Sequence, residues 1–304
     1  MAHENLAGRS IAGYRLLERV GEGGTATVYR AEHDVHGRCA VKTLRERLRN
    51  DPTAVRRFLR EAEYGSRVRH PHVVRTYDYG DTDGLYYLAL EWAEGAPLAE
   101  HVARRGRLAA QDVAHIVEQL AGALAAAHAE GIIHRDLKPQ NIIYDASTRT
   151  AKLLDFGIAR DAQEDPAERL TRTGFFVGTL QYVAPEALSG ALVGEAADIY
   201  SLATITYYLL TGVHPYATRS PRELFQKLLT EPPTRLNEAV RGLPFSSALE
   251  RAVMKGLARE GAHRQASVLD FAADVRRGVS ETSAPAPMRR GILGVLGSII
   301  GRKR

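Results

Sequence analysis

His134-Arg135-Asp136-Leu137-Lys138-Pro139-Gln140-Asn141, followed by Asp155-Phe156-Gly157, is the stretch that decides how this chain is read. It brings the Asp136 carboxylate, the Lys138 ammonium and the Asn141 amide within six residues, with a second carboxylate, Asp155, further on. Phosphoryl transfer from Mg-ATP to a hydroxyl requires these groups. A carboxylate accepts the hydroxyl proton, a cation offsets charge on the moving phosphoryl group, and oxygen ligands hold Mg²⁺. A lone His-Arg-Asp occurs by chance; the whole octapeptide with Asp-Phe-Gly is far more specific.

Upstream, Tyr14 to Val20 reads as a strand that enters Gly21-Glu22-Gly23-Gly24-Thr25-Ala26-Thr27-Val28. Glycines let a backbone approach phosphate oxygens closely. A dinucleotide fingerprint would need a helix directly after the glycines. Here Thr25, Thr27, Val28 and Tyr29 are β-branched or aromatic and favour a strand. The absence of any Gly-Lys dipeptide excludes a Walker loop. Arg38 to Lys42 reads as the next strand. Only six lysines occur, at 42, 138, 152, 227, 255 and 303. A compact ammonium at 42 and 138 suits point contacts to phosphates, where a guanidinium does not substitute freely.

Together these motifs resemble the protein-kinase family, and in particular the eukaryotic-like serine/threonine kinases of bacteria. Lys138-Pro139 is similar to the serine/threonine branch. The resemblance spans about residues 14–277. It implies an α+β, bilobal protein-kinase fold, with a small β-rich N-lobe (about 14–91) holding one main helix and a larger helical C-lobe (about 95–277). It further implies ATP and Mg²⁺ (or Mn²⁺), protein substrates bearing Ser or Thr hydroxyls, and self-association for trans-phosphorylation of the activation loop.

Carried onto this chain, the family pattern makes Asp136 the catalytic base and Lys138 the cation beside the phosphoryl group. Lys42 orients ATP, and Glu61, in a helix expected over residues 53–68, pairs with it. Asn141 and Asp155 become the metal ligands. The nucleotide site draws on Val20, Gly21, Glu22, Gly23, Gly24, Val28, Ala40, Lys42, Leu90, Glu91, Ala93 and Ile143. Ala26 stands where the family has a third glycine. Gly65 replaces the larger apolar residue that packs the Glu61 helix, a substitution expected to loosen that helix by about 1 kcal/mol. Arg135 is the expected docking point for a phosphate on Thr171 or Thr173, and Thr179 the expected contact to Asp136 and Lys138. Asp198 is expected to brace the catalytic loop, and Arg264 to pair with Glu186. With Lys42, Asp136, Asn141 and Asp155 all intact, a catalytically silent pseudokinase scaffold is the weaker alternative.

Composition sets the outer limits. Apolar residues at 44% and charged residues at 25% suit a globular protein. Arg289, Arg290, Arg302, Lys303 and Arg304 are five of the 41 basic residues, so the other 36 balance the 36 acidic ones. The net charge of +5 therefore describes a tail, and no nucleic-acid partner is expected. The single cysteine, Cys39, excludes an intramolecular disulfide and a Cys-based zinc site. No secretory signal is visible at the start, which with the reduced cysteine implies a cytoplasmic protein. Residues 1–13 read as an extension and 278–290 as a linker. Residues 291–304 read as an apolar-basic tail that docks on the inner membrane face, binds a partner, or stays unstructured; its apolar run is too short to span a bilayer.

Overall fold

The computed structural model describes residues 5–154, 180–188, 193–218 and 220–283. Nine strands are seen among them: β1 Ser10–Ile11, β2 Tyr14–Glu22, β3 Ala26–His33, β4 Gly37–Leu44, β5 Thr76–Thr82, β6 Leu85–Glu91, β7 Ala96–Pro97, β8 Ile142–Asp145 and β9 Thr150–Leu153. The helices are α1 Pro52–Arg67, α2 Leu98–Arg105, α3 Ala110–Ala129, α4 Pro185–Leu188, α5 Glu195–Thr211, α6 Pro221–Thr230, α7 Ser247–Gly256 and α8 Val268–Ser283. The first six strands form one antiparallel sheet in the order β1-β2-β3-β4-β6-β5, and the last three form a small sheet ordered β7-β8-β9. This is the bilobal α+β arrangement that the sequence implied.

Helix α1 starts where its residues say it should. Asp51 caps it, accepting from the Thr53 and Ala54 amides at 2.8 and 3.3 Å, and Pro52 occupies its first turn. Its Phe58 and Ala62 pack with Leu44 of β4, Leu88 of β6 and Ala26 of β3. The Ala26 methyl is thus part of the small lobe's core, which accounts for alanine in place of the third glycine. Gly65 lets α1 approach β5: a Cβ there would stand 3.2 Å from Thr76 Oγ1.

The large lobe is built on α3 and α5. Val113, Ile116, Val117, Leu120 and Leu124 of α3 are fully buried, each such side chain contributing roughly 1.5–3 kcal/mol. Helix α5 is buried nearly all round, and its threonine hydroxyls return to its own backbone. Thr204, Thr206 and Thr211 donate to the carbonyls four residues earlier at 3.0, 2.7 and 2.7 Å, which satisfies them without water.

Three boundaries differ from the sequence reading. The extension expected over 1–13 contains β1, which pairs Ser10 with Arg15 and Ile11 with Tyr14, and Leu6 is buried with its amide donating to Tyr29 Oη. Val73 to Tyr79 reads from the sequence alone as one strand, but β5 begins at Thr76, because Val73 instead bridges in parallel to Leu153 of β9. The linker expected from 278 does not start there, because α8 continues through Gly278 to Ser283. Gly278 sits so close to α7 that a Cβ would meet Leu249 Cα at 2.4 Å. The tail 291–304 lies outside the described residues, and among those residues no helix is long and apolar enough to cross a membrane.

One residue joins the lobes under strict constraint. Gly95 has φ +108°, and a Cβ would lie 2.3 Å from the Tyr144 carbonyl oxygen. Both the backbone region and the space exclude a side chain. Gly95→Ala should lower stability by roughly 2–4 kcal/mol in chemical denaturation; a loss below about 0.5 kcal/mol would show that this crossing relaxes freely.

Candidate active site

The sheet register assembles the upper half of the site. Gly21 pairs with Val28, Val28 with Lys42, Lys42 with Leu88, and Ala40 with Leu90. Since side chains alternate along strands, Val28, Ala40, Lys42, Leu88 and Leu90 share one face. Lys42 Nζ lies 2.5 Å from Glu61 Oε1, with both side chains seven-eighths buried. The helix therefore stands where its carboxylate meets the lysine. Behind the pair lies a small cavity lined by Glu61, Gly65, Val74, Thr76, Leu90 and Leu153.

The strand-to-strand link from Leu90 and Glu91 continues through Trp92 and Ala93 to Gly95. The Glu91 carboxylate is held by Lys152 Nζ of β9 and accepts from the Arg75 amide at 3.2 Å. Arg38 covers Trp92, its Cζ 5.7 Å from the ring centroid, and pairs with Glu94. Trp92 is thus a packing residue. Ile143 of β8 pairs with Pro97 and Lys152 on either side.

Below, three residues converge. Lys138 Nζ donates to Asp136 Oδ2 at 2.8 Å, and Asn141 Nδ2 donates to the same oxygen at 3.1 Å and to the Asp136 carbonyl at 3.0 Å. The Asn141 amide nitrogen is thereby committed to Asp136, which turns its oxygen the other way. Asp136 and Lys138 are each 19% exposed, open enough to meet a substrate.

The loop carrying them is held from beneath. Asp198, fully buried near the start of α5, accepts the His134 amide at 2.9 Å and the Arg135 amide at 3.1 Å. His128 of α3 donates Nε2–H to the same carboxylate at 2.8 Å. The clamp is needed because Arg135 has φ +62°, a conformation that costs a non-glycine residue about 1–3 kcal/mol. His134 is fully buried; its Nδ1 accepts the Asp136 amide at 3.3 Å, which places the ring proton on Nε2, 3.4 Å from the Leu154 carbonyl. His134 is an architectural residue of the loop.

Arg264 closes the far side. Its guanidinium donates to both Glu186 oxygens at 2.6 and 2.8 Å and to the Ala196, Ala258 and Arg259 carbonyls, with Tyr200 beneath it. Cys39 is buried in the small lobe, where burial and Glu32 push its thiol up to about 11, so it is no nucleophile.

Asp155, Thr171, Thr173 and Thr179 lie outside the described residues. Sequence reasoning missed His128 and Lys152, whose partners are 70 and 61 residues away; no local spacing announces such contacts.

Residues 14–260 match the protein kinase domain model, and the chain belongs to that family. It is 36% identical over 302 residues to the serine/threonine-protein kinase PknH of Mycobacterium tuberculosis, covering 94% of this chain and 47% of PknH. It is also 36% identical over 276 residues to PrkC of Bacillus subtilis, covering 89% of this chain and 41% of PrkC. Among solved structures it resembles the PknI kinase domain of M. tuberculosis, with TM-score 0.69 and 31% identity over 90% of this chain and 98% of that one. The chain thus spans less than half the length of these curated relatives.

Replacing Arg264 with leucine leaves the Glu186 carboxylate and three carbonyls without their donor. The expected cost is roughly 3–5 kcal/mol, read as a lower denaturation midpoint, and Arg264→Lys should recover little because one ammonium cannot fill the fork. Full recovery by lysine would mean that charge alone matters.

Proposed function

We propose that this chain is a serine/threonine protein kinase that transfers the γ-phosphoryl group of ATP to protein hydroxyls, its own activation loop included. The convergence of Lys138 and Asn141 on the Asp136 carboxylate carries the reading. Asp136 orients the substrate hydroxyl and receives its proton as the oxygen–phosphorus bond forms and the bond to the β–γ bridging oxygen breaks. Lys138, beside it, offsets charge on the phosphoryl oxygens. Lys42, held by Glu61, steadies the nucleotide phosphates, while Val20, Gly21, Glu22, Gly23, Gly24 and Val28 cover them. Ala40, Leu90, Glu91, Ala93 and Ile143 enclose the base.

The donor set fits a hard divalent cation. The amide oxygen of Asn141 and the carboxylate of Asp155 are ligands suited to Mg²⁺ or Mn²⁺. When bound, the ion neutralises charge on the phosphates. Arg135, anchored by its amide on Asp198, is the proposed dock for a phosphate on Thr171 or Thr173, with Thr179 as the contact to Asp136 and Lys138. Two copies of the chain associate for trans-phosphorylation, and residues 291–304 dock on a partner or on the inner membrane face.

Incubation of the full chain with Mg-ATP, with phosphosites mapped by mass spectrometry, tests the reading. Phosphate on Thr171 or Thr173 is expected in the parent, and Asp136→Asn should lower transfer by about 10²–10⁴-fold. ATP binding without any phosphate on the chain or on an added protein substrate would favour a scaffold instead. Thr171→Ala with Thr173→Ala should reduce turnover; unchanged turnover would remove the switch from the account.

A further inference from the structure

The segment joining β4 to α1 reaches back over the glycine-rich loop, a contact to which the functional reading assigns nothing. Arg45 Nη1 donates to the Gly23 carbonyl at 3.1 Å, and Arg47 Nη2 donates to the Gly24 carbonyl. The Arg45 amide donates to the Thr25 carbonyl at 3.0 Å. Three successive carbonyls at the loop tip are thus held by two residues of one segment. The tip is closed across its base by the Gly23 amide, which donates to the Ala26 carbonyl at 2.8 Å.

Side chains fix the arginine in turn. Arg45 Nη2 lies 3.1 Å from Glu22 Oε1, and Glu22 Oε2 lies 2.6 Å from Arg19 Nη1. The Arg45 side chain is only 21% exposed. Ala26, just past the tip, packs with Leu44 and with Phe58 and Ala62 of α1. Tip and base of the loop are therefore tied to the same stretch of chain, which leads through a 3₁₀ turn at Glu46–Leu48 into the helix bearing Glu61.

Peptide geometry turns this latch into a statement about the site. In a trans peptide the carbonyl of one residue and the amide of the next point in opposite directions. Carbonyls of Gly23 and Gly24 drawn toward the arginines send the amides of Gly24 and Thr25 the other way. We propose that Arg45 and Arg47 are positioning residues that hold the glycine-rich loop by its carbonyls before nucleotide arrives, so that the Gly24 and Thr25 amides are already presented to phosphate oxygens. This rests on the kinase reading of the loop as the phosphate cover. Preorganisation of this kind spares the nucleotide the cost of ordering a glycine-rich segment.

The test uses the full chain in parent form, as Arg45→Ala/Arg47→Ala, and as Arg45→Lys/Arg47→Lys. Two readouts are taken: hydrogen exchange of the Gly23 amide without nucleotide, and the Kd for Mg-ATP by calorimetry. The alanine pair should exchange at least about fivefold faster at Gly23 and bind Mg-ATP roughly five- to thirtyfold more weakly, as expected for two lost charge-assisted bonds partly open to water. Its kcat at saturating ATP should stay within about threefold of the parent, because the reacting groups are untouched. The lysine pair, which keeps a donor at each position, should recover part of both effects.

Exchange and Kd within about twofold of the parent in the alanine pair would overturn the proposal. Weaker binding with unchanged exchange would overturn it too, since that pattern marks charge attraction rather than a latch. A parent that binds no ATP would defeat the kinase reading separately, and the exchange comparison would still decide whether the arginines hold the loop.

Discussion

A carboxylate sealed from water near the start of α5 is the constraint on which the site depends. Asp198 accepts two consecutive amides, those of His134 and Arg135, and a third donor from His128. Burying an ion is costly unless its oxygens are filled, and here they are filled by the backbone that carries Asp136. The same contacts keep Arg135 in a left-handed conformation that an arginine does not choose by itself. From that kink the chain turns so that Asp136, Lys138 and Asn141 face one another.

Around this anchor the two lobes are connected by backbone as well as by side chains. The Val74 amide donates to Leu153 and the Leu153 amide to His72, at 2.9 and 2.8 Å, so the small lobe is stitched to β9. The Leu154 amide donates to the Asn141 carbonyl at 2.8 Å, which joins β9 to the 134–141 loop. Lys152 adds a charged tie to Glu91, where the chain crosses between lobes. The small lobe and Asn141 are thus linked by a short, hydrogen-bonded route.

Much of this was legible in the sequence because the chemistry is concentrated in short segments. Residues 134–141 carry their own spacing, and the start of α1 is written in Asp51-Pro52. The pairs Lys42–Glu61 and Glu186–Arg264 came from the family resemblance, and both are formed. What escaped reading was tertiary. Nothing local says that Leu6 is buried, that Val73 pairs across to Leu153, or that a glycine at 278 marks helix contact rather than a linker. Gly278, before a run of Ser, Thr, Ala and Pro, looks like a helix end until Leu249 is seen against it.

Amide hydrogen exchange at His134 and Arg135, in the parent and in Asp198→Asn, tests most directly whether Asp198 sets the 134–141 loop. The isosteric amide keeps the shape but loses one acceptor and the charge. The account predicts at least tenfold faster exchange at these two amides while the interior of α5 stays protected. Equal exchange in the two proteins would contradict it, and the loop would then owe its shape to its own residues.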